Sequence, residues 1–123
     1  MIRNEVIIGV EDVERSSKWY QALLNCHGNH RGPTFEVLTD DDDHVFLCLH
    51  KWGDHDHPTL TNPENHPGNG LILYLRVENL DLIWRNAGVL NAVIEKKPCL
   101  NENSGKEEFA IRDLDNYYIL VSL

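Results

Sequence analysis

The reading of the chain turns on two stretches, Val6-Ile7-Ile8-Gly9-Val10-Glu11-Asp12-Val13-Glu14 and Leu71-Ile72-Leu73-Tyr74-Leu75-Arg76-Val77-Glu78-Asn79-Leu80-Asp81. Each runs from an apolar, strand-like segment into a polar break, and the second break echoes the first (Val10-Glu11-Asp12-Val13-Glu14, Val77-Glu78-Asn79-Leu80-Asp81). A self-similar pair in a chain of 123 residues points to a duplicated module. Asp12 and Asn79 are N-cap residues, and the acids behind them, Glu14 and Asp81, sit where the helix dipole favours negative charge. The first helix aligns Val13, Ser16, Ser17, Tyr20, Leu23 and Leu24 on one stripe; the second aligns Leu80, Ile83, Trp84 and Ala87. Asn25 and Gly88 are the expected stops.

Outward from these starts, short strands separated by turn residues complete each copy. In the first copy they span 28–32, 34–39 and 44–51, with the acidic turn Asp40-Asp41-Asp42-Asp43 before the last. In the second they span 91–97, 106–113 and 117–123. Both copies read strand, helix, strand, strand, strand. The expectation is an α+β domain over 1–123, made of two βαβββ modules that form a curved mixed sheet around a cleft. The first module covers about 1–51, a linker about 52–69 and the second module about 70–123. Strand alternation sends Val6, Ile8 and Val10 to the helix and Glu5, Ile7 and Gly9 to the cleft. It likewise sends Ile72, Tyr74 and Arg76, then Tyr118, Leu120 and Ser122, to the cleft.

Composition narrows the function. With 11 Lys and Arg against 20 Asp and Glu the formal charge is −9, and no basic patch interleaved with aromatic residues is present, so nucleic acid and anionic membranes are not expected partners. Three scattered cysteines, Cys26, Cys48 and Cys99, make neither a disulfide framework nor a CxxC site. No leader and no long apolar run is seen, and the expected compartment is the cytoplasm. A Ser-His-Asp pattern, a P-loop and a dinucleotide fingerprint are all missing from the sequence.

The Val10-Glu11-Asp12 opening with Trp19-Tyr20, the second copy ending Asn86-Ala87-Gly88, and the closing Phe109-Ala110-Ile111-Arg112-Asp113-Leu114-Asp115-Asn116-Tyr117-Tyr118-Ile119-Leu120 resemble the glyoxalase, bleomycin resistance and dioxygenase superfamily. These are also called vicinal oxygen chelate proteins. The resemblance spans nearly the whole chain, although the usual closing Asp-Pro-Asp-Gly-Asn is here Asp113-Leu114-Asp115-Asn116-Tyr117. It implies metal-ligand positions at Glu5, Leu47, Ile72 and Leu120, of which only Glu5 carries a donor. The expectation is therefore a metal-free, cofactor-free member resembling the bleomycin resistance proteins, which are small, acidic and dimeric and sequester a cationic aromatic ligand.

On this reading the ligand cleft is lined by Glu5, Ile7, Leu47, Trp52, Ile72, Tyr74, Tyr118 and Leu120, and the chain binds a small molecule, cationic or aromatic, as a homodimer. The alternative is a lyase, isomerase or dioxygenase-type enzyme. It would use Glu5 as its catalytic base or a metal relocated to His50, His55 and His57 near the Asp54-His55-Asp56-His57 run.

Overall fold

The computed structural model describes residues 3–54, 60 and 71–123. The chain divides into two compact units, Met1–Pro67 and Gly68–Leu123. The first holds β1 (Ile7–Val10), α1 (Val13–Leu24), β2 (His27–Gly28), β3 (Phe35–Thr39) and β4 (Val45–Lys51); the second holds β5 (Ile72–Arg76), α2 (Leu80–Val89), β6 (Val93–Asn101), β7 (Lys106–Arg112) and β8 (Tyr118–Ser122). Each unit is a four-stranded mixed sheet with one helix, in the orders β1-β4-β3-β2 and β5-β8-β7-β6. The α+β class and the duplicated βαβββ pattern are those expected.

The helices start where side chains replace missing backbone partners. Asp12 accepts from the Arg15 amide at 3.0 Å and Asn79 from the Leu82 amide at 3.1 Å, each satisfying one orphan donor of a first turn. α1 ends on Asn25 in the left-handed conformation (φ 55°). α2 runs past Gly88 to Val89, and the left-handed residue is Asn91 (φ 52°), so the stop expected at Gly88 falls three residues later.

The helix-facing core of the first unit includes Ile8, Val10, Tyr20, Leu23, Leu38 and Leu49, all at most 1% exposed. In the second unit Phe109, Ile111, Ile119 and Val121 are fully buried, and Trp84 of α2 meets Phe109 edge-on with centroids 5.1 Å apart. Side chains of this kind contribute roughly 1.5–3 kcal/mol each when withdrawn from water.

Two strands differ in length from their expected spans. The strand expected over 28–32 shrinks to His27–Gly28, because the amides of Asn29 and His30 turn to the Glu36 carboxylate rather than to a ladder. Positive φ at His30 and Gly32 then carries the chain into a loop. β6 extends to Asn101 as an edge strand, with register shifts on either side of Lys96. It can hold Pro98 because an edge strand has one side that needs no ladder donor.

Candidate functional site

In the second unit the face of the sheet turned away from α2 carries three rows of side chains set by the strand register. Ile72, Tyr118 and Arg112 lie abreast; next come Tyr74, Leu120 and Ala110; then Arg76, Ser122 and Glu108. Ile72 and Tyr74 are 60% and 43% exposed, while Tyr118 and Leu120 beside them are half-buried. Four of the residues read from the sequence as cleft-lining are thus neighbours on one surface. Two guanidiniums cap its rings: Arg76 lies 5.5 Å from the Tyr74 centroid and Arg112 5.0 Å from that of Tyr118, within range of cation–π attraction. Arg112 also meets Glu95 at 2.9 Å and donates to the Asn116 carbonyl at 2.9 Å. Arg76 donates to the Leu123 carbonyl at 3.3 Å, and no carboxylate among the described residues pairs with it.

The third row contains a buried carboxylate that the sequence reading did not single out. Glu108 is 2% exposed. Its Oε1 accepts from Lys96 Nζ at 3.0 Å and from Asn101 Nδ2 at 2.8 Å, and the carboxylate raises the Lys96 ammonium above its ordinary value of 10.5. Its Oε2 is buried with no hydrogen-bond partner among the described residues. The sequence signal was alternation: Phe109 and Ile111 face the helix, so Glu108, next to Phe109 on the same strand, must face the other way.

In the first unit β1 and β4 run parallel, with Ile7 beside Cys48, Ile8 beside Leu49 and Gly9 beside His50. Leu47 is 1% exposed and is the ladder partner of Leu38. It shares the helix-facing side with Leu49, so the placement of Leu47 on the cleft is corrected by one residue. A one-residue slip turns a strand over, and Cys48 and His50 occupy the face assigned to it. Ile7 is 51% exposed and Glu5 is exposed. Trp52 lies on the same face against Gly9, where an added methyl would stand 2.6 Å from Cε3 of the indole. His50 is buried, its Nδ1 2.9 Å from the Lys51 carbonyl oxygen and its ring edge-on to Phe35. His55 and His57 lie outside the described residues.

Two of the three free cysteines are held as thiols. Burial pushes the Cys26 thiol up to about 11, and burial with the Glu5 charge also raises Cys48, so both stay protonated near neutral pH. Ile72 and Leu120, where the resemblance implies metal ligands in the second unit, carry hydrocarbon side chains without a donor, so these residues do not fit such a centre. Cys48 and His50 share a face of the first sheet, and the Glu5 charge acts on Cys48. Among the described residues, however, only Asp40, Asp42 and His44 bring ligand atoms within 4.8 Å of one another.

That exposed trio is a turn. Asp40 Oδ1 accepts from the amides of Asp42 and His44, both at 2.9 Å, and the Asp40 amide donates to the His44 carbonyl. The closing turn repeats it: Asp113 Oδ1 accepts from the amides of Asp115 at 2.8 Å and Tyr117 at 2.9 Å, and the Asp113 amide donates to the Tyr117 carbonyl. Both place a left-handed residue fourth, Asp43 and Asn116. Asp40–His44 is therefore the first module's counterpart of Asp113–Tyr117, an equivalence hidden because only the two aspartates recur.

Beside α1 a pocket of about 290 Å³ is lined by Glu14, Ser17, Lys18, Gln21, His30 and Glu36, among others. Glu36 at its base is buried and saturated. Its oxygens accept from the amides of Asn29, His30 and Val37 and from the Ser17 hydroxyl, and Gln21 donates to Ser17 at 2.9 Å. A Cβ on Gly28 would stand 2.7 Å from the Gln21 side chain. The carboxylate holds the 29–34 loop to the sheet.

Neither a protein-family model nor a curated protein matches the sequence. Solved structures do match its fold. A glyoxalase/bleomycin resistance protein/dioxygenase family enzyme from Burkholderia phytofirmans aligns over 96% of this chain and 94% of its own, with TM-score 0.78 and 17% identity. TioX from Micromonospora aligns over 99% and 98%, with TM-score 0.78 and 13% identity. An integron cassette protein from the mobile metagenome of V. cholerae aligns over 99% and 95%, with TM-score 0.73 and 17% identity. At these identities the likeness is one of architecture, and the chain has the vicinal oxygen chelate fold of the glyoxalase, bleomycin resistance and dioxygenase superfamily.

Proposed function

We propose that the chain binds a small aromatic compound without a metal, on the face of the second sheet turned away from α2. The observation that carries this reading is the row pair of exposed Ile72 and Tyr74 with half-buried Tyr118 and Leu120, with a guanidinium over each tyrosine. Large apolar side chains left in water on a sheet face are a cost unless a ligand or partner covers them, and tyrosine rings offer flat surfaces for stacking. The hydrocarbon side chains of Ile72 and Leu120 support metal independence, since neither can ligate. Glu5, the base of the enzyme alternative, is exposed, and no buried partner orients it among the described residues.

The reading includes a homodimer, supported by the edge strands β1, β2, β5 and β6 that each sheet leaves for cover. The three free cysteines suit a reducing compartment such as the cytoplasm, and no helix among the described residues is long and apolar enough to cross a membrane.

Tryptophan-fluorescence titration with planar aromatic probes tests the site. Saturable binding is expected, weakened about tenfold or more by Tyr74→Ala; binding that ignores the substitution, or none, defeats the reading. Elemental analysis after incubation with Zn, Ni, Mn and Fe(II) and desalting should find no retained metal. One ion held per chain would overturn metal independence. Sedimentation as a monomer at micromolar concentration would remove the dimer.

A further inference from the structure

The two guanidiniums over the aromatic surface are held by the protein in different ways. Arg112 is tied twice: its Nε meets the Glu95 carboxylate at 2.9 Å and its Nη1 donates to the Asn116 carbonyl at 2.9 Å. Its charge is answered within the fold. Arg76 makes one long hydrogen bond, from Nη1 to the Leu123 carbonyl at 3.3 Å, and enters no ion pair among the described residues. Glu78, two residues on, is exposed and does not pair with it. Glu108 stands in the same row but two strands away, buried and bonded to Lys96.

Arg76 also stands in the open beside a ring. The residue is exposed, Tyr74 is 43% exposed, and the guanidinium carbon lies 5.5 Å from the Tyr74 centroid. Cation–π attraction engages the guanidinium through its charge and leaves its remaining N–H donors for an acceptor. Three charged residues lie on these rows, Arg112, Arg76 and Glu108. Two are paired internally, so the uncompensated charge of the surface, among the described residues, is positive. The chain's net charge of −9 opposes anions at long range, but exposed charges more than about 8 Å apart are largely screened at physiological salt. The group in contact decides.

We propose that Arg76 selects the ligand of this face: the compound is an aromatic acid, whose carboxylate accepts from the Arg76 guanidinium while its ring covers Tyr74 and Ile72. Guanidinium and carboxylate are both planar and can meet through two parallel hydrogen bonds, a match that an ammonium does not offer. The inference rests on the small-molecule reading of the face. It adds the ligand's charge and the residue that reads it, and the sign is opposite to that of the cationic ligand expected from the resemblance.

The test uses the full chain and three probes of one shape, 2-naphthoate, anionic at neutral pH, 2-naphthamide, neutral, and 2-naphthylmethylamine, cationic. Equilibrium dialysis measures binding, and circular dichroism confirms that each variant is folded. The unaltered protein should hold the naphthoate about tenfold or more tighter than the amide, the scale of a charge-assisted hydrogen bond, and the amine no tighter than the amide. Arg76→Gln should weaken the naphthoate about tenfold and leave the amide within about twofold. Arg76→Lys should recover part of that loss, because it restores the charge without the planar fork. Tighter binding of the amine than of the naphthoate, or equal losses of naphthoate and amide in Arg76→Gln, overturns the proposal. If Tyr74→Ala loses all three probes while Arg76→Gln changes none, the selector falls and the binding face stands. Absence of saturable binding of any probe by the unaltered protein overturns both.

Discussion

The two modules share one template and use it differently. Their strand orders correspond, β1-β4-β3-β2 and β5-β8-β7-β6, and their last hairpins close with the same aspartate-centred turn. Each buries a glutamate on the third of its four strands, Glu36 on β3 and Glu108 on β7. Glu36 pairs in the ladder with Leu49 and faces α1; Glu108 pairs with Ser122 and faces away from α2. Sheet alternation separates these outcomes by a single residue. The first carboxylate is spent on holding a loop, and every lone pair has a donor. The second keeps an oxygen with no hydrogen-bond partner among the described residues. A duplicated fold can thus satisfy the same residue type fully in one copy and only partly, among the described residues, in the other.

The largest expected effect is at Glu36. Glu36→Ala should lower unfolding free energy by about 3 kcal/mol or more in urea titrations, because it strands the amides of Asn29 and His30 and the Ser17 hydroxyl. A loss under about 1 kcal/mol would show that the loop does not depend on the carboxylate. Next comes the shared turn: Asp113→Ala should cost about 2 kcal/mol, since the buried Tyr117 amide loses its acceptor. Asp40→Ala should cost less, because the exposed amides of its turn can turn to water. Equal costs would break the link between burial and penalty.

Glu108→Gln should change stability by less than about 1 kcal/mol, because one oxygen has no bond to lose and Lys96 can return to water. A loss matching that of Glu36→Ala would make Glu108 as structural as its counterpart.

The smallest effect is in pH dependence. The His44 amide, then the Asp42 amide and the His44 charge, hold the Asp40 carboxyl below its ordinary value of 3.8. A carboxyl depressed in the folded state stabilises it above that ordinary value, and the contribution is lost as pH falls through the folded value. The drop in melting temperature between about pH 6 and pH 3 should therefore shrink in Asp40→Asn. Parallel curves for the two proteins would locate the acid sensitivity elsewhere.

Much of this was legible in the sequence for local reasons. Helix starts at Asp12 and Asn79 are written in capping chemistry, and the alternation of each first strand in its residue pattern, with Ile72 and Tyr74 exposed on one face of β5. Leu47 was misread because β4 is apolar on both faces, Val45 through Leu49, and a uniform run carries no phase. The short β2 was overextended because the acceptor that draws its amides away, Glu36, is supplied by a different strand.

The sequence by itself determined the duplicated βαβββ order, the helix boundaries to within a few residues and the acidic balance of the chain. These depend on periodicity, caps and charge counts within short windows. Only the tertiary structure decided which buried glutamate is satisfied and which is not, that the Asp40 and Asp113 turns are the same device, and that Tyr74, Tyr118, Arg76 and Glu108 share one face. Hydrogen-bond satisfaction depends on how the folded backbone aims each donor, whether a neighbouring amide such as that of His30 or a distant hydroxyl such as that of Ser17, and residue types alone do not fix that aim.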